Sequence, residues 1–454
     1  MWAIRYQSGT ILVEGASSSE LGEGFVDDDR VGATRGPAYR YADVVRLAHA
    51  RHVPLKDDAR AYRTLDDLET LTTRTPRDYQ VEALDAWEAA DRRGAVVLPT
   101  GSGKTHVAEL AILRCKRSAL VLAPTIDLIG QWHDRLTTTF GAPIGLLGGG
   151  HHEIEPITVS TYDSAYLHLS RYGDRFGLVV FDEVHHLPAP AYLQAAESTI
   201  APWRLGLTAT WERQDGRESE LEGVLGEVVY ERTITELAGD YLADYDTVRL
   251  EIRLSAEERE RYLAARKIYG AFIGQHRIPI RSPQGWQTFI RKAARSKAGR
   301  EAFLAYQESR RIIHGAERKL DLLGTLLDEE WGRRTIVFTN DNRTAYDVSR
   351  QFLVPCITHH TDVKERRAWL QAFESGELPV LVTSRVLNEG VDLPAAEVAI
   401  VLSGTGTVRE HVQRLGRILR PGEGKRAILY EIVAADTTEK HTSDRRRKHA
   451  AYEG

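Results

Sequence analysis

Apolar and polar positions divide the chain into three stretches with different periods. Near the start, Ile4-Arg5-Tyr6 and Thr10-Ile11-Leu12-Val13 flank Gln7-Ser8-Gly9, a pattern that predicts a β-hairpin. The acidic, glycine-rich stretch from Gly22 to Gly32 reads as loop, and Tyr41 to Arg51 has helical spacing at Val44, Val45 and Leu47. From about residue 73 to 235, short apolar runs alternate with helical patterns. The runs are Ala95-Val96-Val97-Leu98, Ala119-Leu120-Val121-Leu122-Ala123, Ile157-Thr158-Val159, Leu178-Val179-Val180-Phe181 and Leu205-Gly206-Leu207. Near-continuous apolar strands separated by helices predict a parallel sheet covered on both faces. A second series begins near 321, with Thr335-Ile336-Val337-Phe338, Val380-Leu381-Val382, Val398-Ala399-Ile400-Val401-Leu402 and Ala427-Ile428-Leu429-Tyr430. The stretch between the two series reads as mostly helical. The expected architecture is therefore α/β: a small α+β module over 1–72, one sheet domain over 73–240, a linker and helical insertion over 241–320, and a second sheet domain over 321–454.

Composition narrows the class. Of 454 residues, 42% are hydrophobic and 28% charged, the balance of a globular protein able to bury several cores. No apolar run approaches the roughly 18 residues that span a bilayer. The first residues, MWAIRYQSGTILVEG, lack both a charged leader and a continuous apolar segment, so a cytoplasmic protein is expected. Cys115 and Cys356 lie in different predicted domains and are expected to be reduced. The formal net charge of −5 hides an asymmetry. Residues 259–319 carry 15 Lys/Arg against four Glu, a local charge of +11, which leaves −16 for the rest. Seven aromatic residues, Tyr262, Tyr269, Phe272, Trp286, Phe289, Phe303 and Tyr306, are interleaved with these charges. Such a segment predicts contact with an anionic polymer, through phosphate neutralisation and base stacking. Trp286, Arg291, Lys292, Arg295 and Lys297 are the candidate contacts. The run Arg445-Arg446-Arg447-Lys448 reads as a basic terminal end.

The chemistry is most legible at Pro99-Thr100-Gly101-Ser102-Gly103-Lys104-Thr105, between an apolar strand and a helical pattern. Gly101 and Gly103 let the backbone turn its N–H groups onto phosphate oxygens, and the helix start adds partial positive charge. Lys104 is placed to reach the outer phosphates of ATP, and the Thr105 hydroxyl to ligate Mg²⁺. Leu98 stands where the general phosphate-loop pattern has its first glycine. After the strand Leu178–Phe181 come Asp182-Glu183-Val184-His185-His186. Asp182 at that strand end is suited to hold Mg²⁺ through water, and Glu183 to orient and deprotonate the attacking water. Further zinc ligands at usual spacing do not accompany His185 and His186.

Phosphate loop and DEVH together resemble superfamily 2 nucleic-acid helicases, whose motif series is present in order. Arg77 and Gln80, in Arg77-Asp78-Tyr79-Gln80, match the motif that contacts adenine. Ala123-Pro124-Thr125 with Gln131-Trp132 resembles the motif that touches the DNA backbone. Thr208-Ala209-Thr210 matches the motif coupling hydrolysis to strand movement. Asn388-Glu389-Gly390-Val391-Asp392 is similar to the motif in which Gly390 and Asp392 approach nucleotide and nucleic acid. Gln413-Arg414-Leu415-Gly416-Arg417-Ile418-Leu419-Arg420 matches the arginine-finger helix. Arg417 and Arg420, three apart on one helix face, are placed to reach a γ-phosphate, with Gln413 beside them. The resemblance implies two RecA-like domains with ATP between them.

Within that superfamily the chain resembles the XPB helicases in their compact archaeal or bacterial form. The likeness covers the small N-terminal module, both motor domains, the basic insertion (a DNA-gripping "thumb" in that family) and the terminal run starting at Ser403. It implies damage recognition by residues 1–72. The family's Arg-Glu-Asp element falls on Arg213-Gln214-Asp215, so Gln214 stands in place of a carboxylate. The resemblance thus implies an ATP-dependent DNA helicase or translocase, moving 3′→5′, in nucleotide-excision-type repair or transcription-linked remodelling. Its partner would be duplex DNA with a single-stranded junction, with neither a membrane nor a small-molecule substrate besides ATP. Two alternatives stand beside it: an ATP-gated switch that clamps and bends DNA without unwinding, and a motor partner of a separate nuclease.

Overall fold

A computed structural model describes residues 1–211, 218–237, 241, 244–280, 282–384, 396–403 and 426–446. The chain forms two compact units that change over between Glu236 and Leu237.

The first unit opens with five short strands: β1 (Trp2–Gln7), β2 (Thr10–Glu14), β3 (Val26–Asp28), β4 (Ala33–Pro37) and β5 (Leu55–Asp57), in the order β3-β4-β2-β1-β5. The predicted hairpin is present, with Gln7 opposite Thr10 and both turn residues, Ser8 and Gly9, at positive φ (+48° and +81°). That turn suits the right-handed twist of the strands. Trp2, Ile4, Ile11 and Val13 alternate onto one face and close a core with Tyr41 and Val44 of the helix Tyr41–Ala50.

This module has its own core but is not separate from the motor sheet beside it. Ile200 belongs to the same buried cluster. The Tyr6 hydroxyl reaches the carbonyls of Leu169 (2.5 Å) and Ser198 (2.8 Å). A Cβ at Gly173 would stand 2.6 Å from that hydroxyl, so the docking needs glycine there. The chain then runs along the motor: Ala61 N–H donates to Asp174, Leu65 N–H to Lys116 and Leu71 N–H to Thr139. The polypeptide thus joins the motor near residue 61, earlier than the boundary expected at 72.

Eight strands come next: β6 (Arg93–Val97), β7 (Ala119–Ala123), β8 (Ile144–Gly148), β9 (His151–His152), β10 (Ile157–Thr161), β11 (Leu178–Asp182), β12 (Trp203–Thr208) and β13 (Val228–Glu231). Their order is β13-β6-β12-β11-β7-β10-β8-β9, parallel except for the β8–β9 pair. The predicted apolar runs form its centre, and β7, β10 and β11 are buried throughout.

The second unit holds β14 (Asp244–Ile252), β15 (Thr335–Phe338), β16 (Cys356–Ile357), β17 (Val380–Thr383), β18 (Val398–Val401) and β19 (Arg426–Ala434), in the all-parallel order β14-β19-β18-β15-β17-β16. Here the boundary expected from sequence needs correction. β14 pairs with β19 along its whole length, from Asp244–Arg426 to Ile252–Ala434. The second sheet therefore begins before the basic segment, which is an excursion out of that sheet and not a bridge between two sheets. The excursion consists of the helices Ala256–Gln275, Pro283–Ala293 and Lys297–His314, N-capped by Ser255, Ser282 and Ser296.

Lys319, one of the 15 basic residues of that stretch, is fully buried. Its Nζ donates to the Leu402 carbonyl (2.7 Å) and to Glu439 (2.9 Å), which also accepts from Ala434 N–H. Removing one partner of a buried pair leaves an uncompensated charge at a cost of about 3–5 kcal/mol. Lys319→Met should therefore destabilise the second unit by about that amount. Adding Glu439→Gln should recover most of it. Thermal melting of the parent and both variants tests this; a parent-like single variant would show that the pair carries no such penalty.

Candidate nucleotide site and its coupling network

The carboxyl ends of three adjoining strands bring the predicted chemistry together. β12 lies between β6 and β11, with Thr208 opposite Val97 on one side and Leu207 opposite Asp182 on the other. The phosphate loop after β6, the acidic pair at the end of β11 and the Thr-Ala-Thr segment after β12 are therefore neighbours, as ligand sites on open parallel sheets are.

Gly101 and Gly103 sit at φ +85° and +87°, the left-handed region in which a side chain is strained. A Cβ at Gly103 would also meet Gln80 Nε2 at 2.7 Å. Lys104 begins the helix Lys104–Cys115, Thr105 is its second residue, and Lys104 Nζ donates to the carbonyls of Leu98 (3.0 Å) and Pro99 (3.2 Å). Ser102 is buried and its hydroxyl donates to Pro99 (2.7 Å). The Thr100 hydroxyl is buried with no hydrogen-bond partner among the described residues. An orphaned donor in a glycine-shaped cradle fits an anionic ligand. Gln80 is buried and holds the loop itself: its Nε2 lies 3.1 Å from the Ser102 carbonyl and 3.3 Å from that of Gly103, and its Oε1 accepts from Arg77 N–H. The Tyr79 hydroxyl also donates to Ser102, and Arg77 reaches the Tyr79 hydroxyl.

Both oxygens of the buried Asp182 carboxylate are engaged. Oδ2 accepts from Trp132 Nε1 at 2.8 Å and Oδ1 from Glu183 N–H at 3.0 Å. Burial, and next the charge of Glu183, push its pKa up to about 6, against the opposing effects of Trp132 and Lys104. For Glu183 burial also acts upward, but the hydrogen bond and charge of His185, with Lys104 and His186, outweigh it and keep the carboxyl below its ordinary range. Burial and the neighbouring carboxylate thus act on Asp182 in one direction, while the basic groups around Glu183 act on it in the other. Glu183 holds a left-handed backbone (φ +47°), a costly conformation for a non-glycine residue. Its carboxylate lies 3.3 Å from His185 Nδ1, and the same nitrogen lies 3.3 Å from the Thr208 hydroxyl. Thr208 in turn donates to the Thr210 carbonyl (2.9 Å). His185 Nδ1 thus stands within 3.3 Å of both the acidic pair and the Thr-Ala-Thr segment.

Trp132 belongs to the segment that the resemblance places near the DNA backbone, and its own side chain turns inward. It is buried against Asp182 because it lies on the inner face of the helix Ile126–Phe140, whose N-cap is Thr125. That helix has a second tie that was missed. Arg135 forms a two-pronged bond with the buried Glu109 (2.6 and 3.2 Å), which also accepts from Thr139 and contacts His106. Glu109 lies on the phosphate-loop helix, so the helix after Thr125 is fastened to both halves of the nucleotide site. A buried charge needs such partners; a Glu at a position with core spacing is the signal that the sequence offered.

In the helical excursion, the aromatics turn inward. Phe289 is fully buried, with Phe272, Phe303, Tyr306 and Tyr269 around it, so it does not offer a face to a base. Trp286 is half-buried, 4.9 Å centroid to centroid from Tyr306. Arg291, Arg295 and Lys297 are exposed, and the half-buried Lys292 reaches the His276 carbonyl. Arg213, Gln214, Asp215, Gly390, Asp392, Gln413, Arg417 and Arg420 lie outside the described residues.

Fold and site define a class: a phosphate-loop motor built on two parallel-sheet, RecA-like domains. In a structural comparison, the Pyrococcus furiosus Hef helicase domain matches 82% of this chain and 98% of its own, with a TM-score of 0.53 and 20% identity, which speaks to the fold. Three family models match in order. They are the Xeroderma pigmentosum group B helicase damage recognition domain over residues 4–59, the type III restriction enzyme res subunit over 73–213, and the helicase conserved C-terminal domain over 318–422. The DNA 3′-5′ translocase XPB2 of Sulfurisphaera tokodaii is 39% identical over 98% of this chain and 99% of its own length. The DNA 3′-5′ helicase XPB of Kineococcus radiotolerans is 32% identical over 83% of this chain, which spans 63% of that protein. The chain belongs to the XPB helicase family.

The Trp132–Asp182 bond has a measurable consequence. Trp132→Phe keeps the ring and removes the N–H that favours the carboxylate. A hydrogen bond to a charged group contributes about 1.5–3 kcal/mol, so hydrolysis should fall about tenfold. The sign on pH is fixed: loss of a donor to the ionised form raises the pKa, so the acid limb of the ATPase pH profile should move upward. Profiles of parent and variant check this, and superimposable acid limbs would remove Trp132 from the site.

Proposed function

We propose that this chain is an ATP-dependent DNA helicase and translocase of superfamily 2, moving 3′→5′ and acting in DNA repair or transcription-linked remodelling. The observation that carries the reading is the meeting of phosphate loop, acidic pair and Thr208 at adjoining strand ends, in a chain of the XPB family. The loop N–H groups and Lys104 bind and orient the phosphates of ATP. Glu183, kept ionised beside His185, takes the proton of the attacking water. His185 and Thr208 carry the state of that carboxylate to the Thr-Ala-Thr segment. The hydroxyl of Thr105 and the carboxylate of Asp182 are hard oxygen donors of the kind that suit Mg²⁺. Bound there, Mg²⁺ neutralises phosphate charge. Arg417 and Arg420 are assigned the charge that stabilises the transferred phosphoryl group, with Gln413 beside them, and Gly390 and Asp392 the approach to nucleotide. Arg77 and Gln80 are assigned to adenine. Arg213, Gln214 and Asp215 are assigned to strand separation. The support for these is their place in the family's motif series. Unwound DNA would pass to a separate nuclease where cleavage follows.

Lys104→Ala should abolish DNA-stimulated ATP hydrolysis with the fold intact, since this side chain is placed for phosphate and its hydrogen bonds stay within the loop. Glu183→Gln should bind ATP and stall hydrolysis. Substantial turnover in the lysine variant, or loss of nucleotide binding in the glutamine variant, would sink the assignment.

The DNA grip is assigned to the rim of the helical excursion, where Arg291, Lys292, Arg295 and Lys297 surround one inter-helix turn. Each phosphate neutralised contributes a salt slope of roughly −0.7 to −0.9. Neutralising all four should flatten the slope by about two to four units and leave DNA-independent ATPase unchanged. Binding titrations at several salt concentrations test this; a parent-like slope would place the grip elsewhere.

A further inference from the structure

One buried carboxylate of the first unit lies outside the motifs that the sequence singles out. Glu109, on the helix Lys104–Cys115, is 3% exposed. Four side chains from three stretches of chain converge on it. His106 Nδ1, from its own helix, lies 2.8 Å from Oε2. Arg135 donates to both oxygens and Thr139 to Oε1, each from the helix Ile126–Phe140. Arg74, from the segment that leads into Arg77 and Gln80, stands 3.7 Å from Oε2. A carboxylate offers about four lone-pair sites, so this one is filled.

From that carboxylate, contacts run to the nucleotide site in two directions. On one side, His106 follows Thr105 directly, and its N–H closes on the Gly103 carbonyl at 2.9 Å. Its Nε2 is buried with no hydrogen-bond partner among the described residues, so the ring is held through Glu109. On the other side, Trp132, Arg135 and Thr139 are spaced by three and four residues and share one helix face. That face donates to two acids: Trp132 to Asp182 at 2.8 Å, and Arg135 to Glu109 at 2.6 and 3.2 Å. The acids belong to different elements, the phosphate-loop helix and β11, and β12 separates β11 from β6. One helix therefore spans both. An apolar contact would hold two helices together without the cost of burying charge, whereas directional, two-pronged bonds also fix their register.

We propose that Glu109 is a positioning residue for ATP hydrolysis. It anchors the helix Ile126–Phe140 on the phosphate-loop side, and through that helix it sets where Trp132 holds Asp182 relative to Lys104 and Thr105. Glu109 touches none of the reacting atoms; it acts through Arg135 and Trp132. Its loss leaves the phosphate cradle able to bind ATP and misplaces the acidic pair, so kcat falls while nucleotide affinity stays. This inference rests on the reading of the chain as an ATP-driven motor.

The test uses the full chain with Glu109→Gln, Arg135→Lys, Trp132→Phe and the double variant Glu109→Gln/Trp132→Phe; melting temperatures confirm folding. Arg135 is half-buried, and lysine there keeps the charge beside Glu109 and loses the second prong, so this variant supplies the result if Glu109→Gln does not fold. Glu109→Gln and Arg135→Lys should each lower kcat about fivefold, an ordinary coupling within one network, with the parent's Kd for ATP. The double variant should turn over no more slowly than Trp132→Phe by itself. An indole N–H NMR signal, assigned to Trp132 by its absence from Trp132→Phe, should shift or broaden in Glu109→Gln while the other indole signals stay in place. Parent-like kcat in the folded variants would overturn the proposal. So would losses that multiply in the double variant with an unmoved Trp132 signal, since Glu109 would then support only its own helix. A weaker Kd for ATP with unchanged kcat would overturn it as well, by placing Glu109 in binding. A parent that hydrolysed no ATP, with or without DNA, would refute the motor reading itself, an outcome distinct from these.

Discussion

Strand order is the constraint on which the nucleotide site depends. β12 comes last among the central strands of the first sheet in sequence, yet it inserts between β6 and β11. Only this order puts the Thr208 segment beside both the phosphate loop and the acidic pair. The insertion needs tight packing over β12. At Gly206 an added Cβ would stand 2.5 Å from the Leu225 Cδ2 methyl, so the helix side chains pack directly onto the strand backbone there. The meeting of phosphate loop, acidic pair and Thr-Ala-Thr segment is thereby set by one strand's position.

Around that constraint, buried polar groups are matched one to another. Glu109 receives Arg135 and Thr139, Asp182 receives Trp132, and Arg204, fully buried, donates to the carbonyls of Ala196, Thr199 and Ala201. Each arrangement is costly to break, because the remaining partner is left desolvated. Such pairs fix geometry more than they add stability. The helix Ile126–Phe140 shows why this matters for function. It starts at the segment that the family resemblance places on DNA, and it ends fastened to both the phosphate-loop helix and Asp182.

The helical excursion separates two properties that the sequence interleaves. Its aromatics form a core, with Phe289 at the centre, while Arg291, Arg295 and Lys297 stay on the rim. Exposed charge and buried aromatic area are thus segregated, as a small three-helix body with little interior requires. The N-terminal module makes the complementary choice. It keeps its own sheet but shares Ile200 and the Tyr6 hydrogen bonds with the motor.

The sequence by itself determined what depends on neighbours along the chain. The hairpin at Ser8-Gly9, the central apolar strands, the phosphate loop and the DEVH pair were legible because period, turn chemistry and spacing are local. Tertiary structure decided what depends on distant pairing. That β14 joins β19 could not be read from either segment, since parallel partners are set by crossover paths and not by composition. That Trp132 faces Asp182, and Gln80 the backbone of the phosphate loop, comes from which helix face meets the sheet. That Phe289 packs inside and Lys319 is buried against Glu439 comes from three-dimensional burial, to which a count of charges and rings is blind. A side chain's type sets the chemistry available to it; only the packing of elements far apart in sequence selects the partner with which that chemistry is expressed.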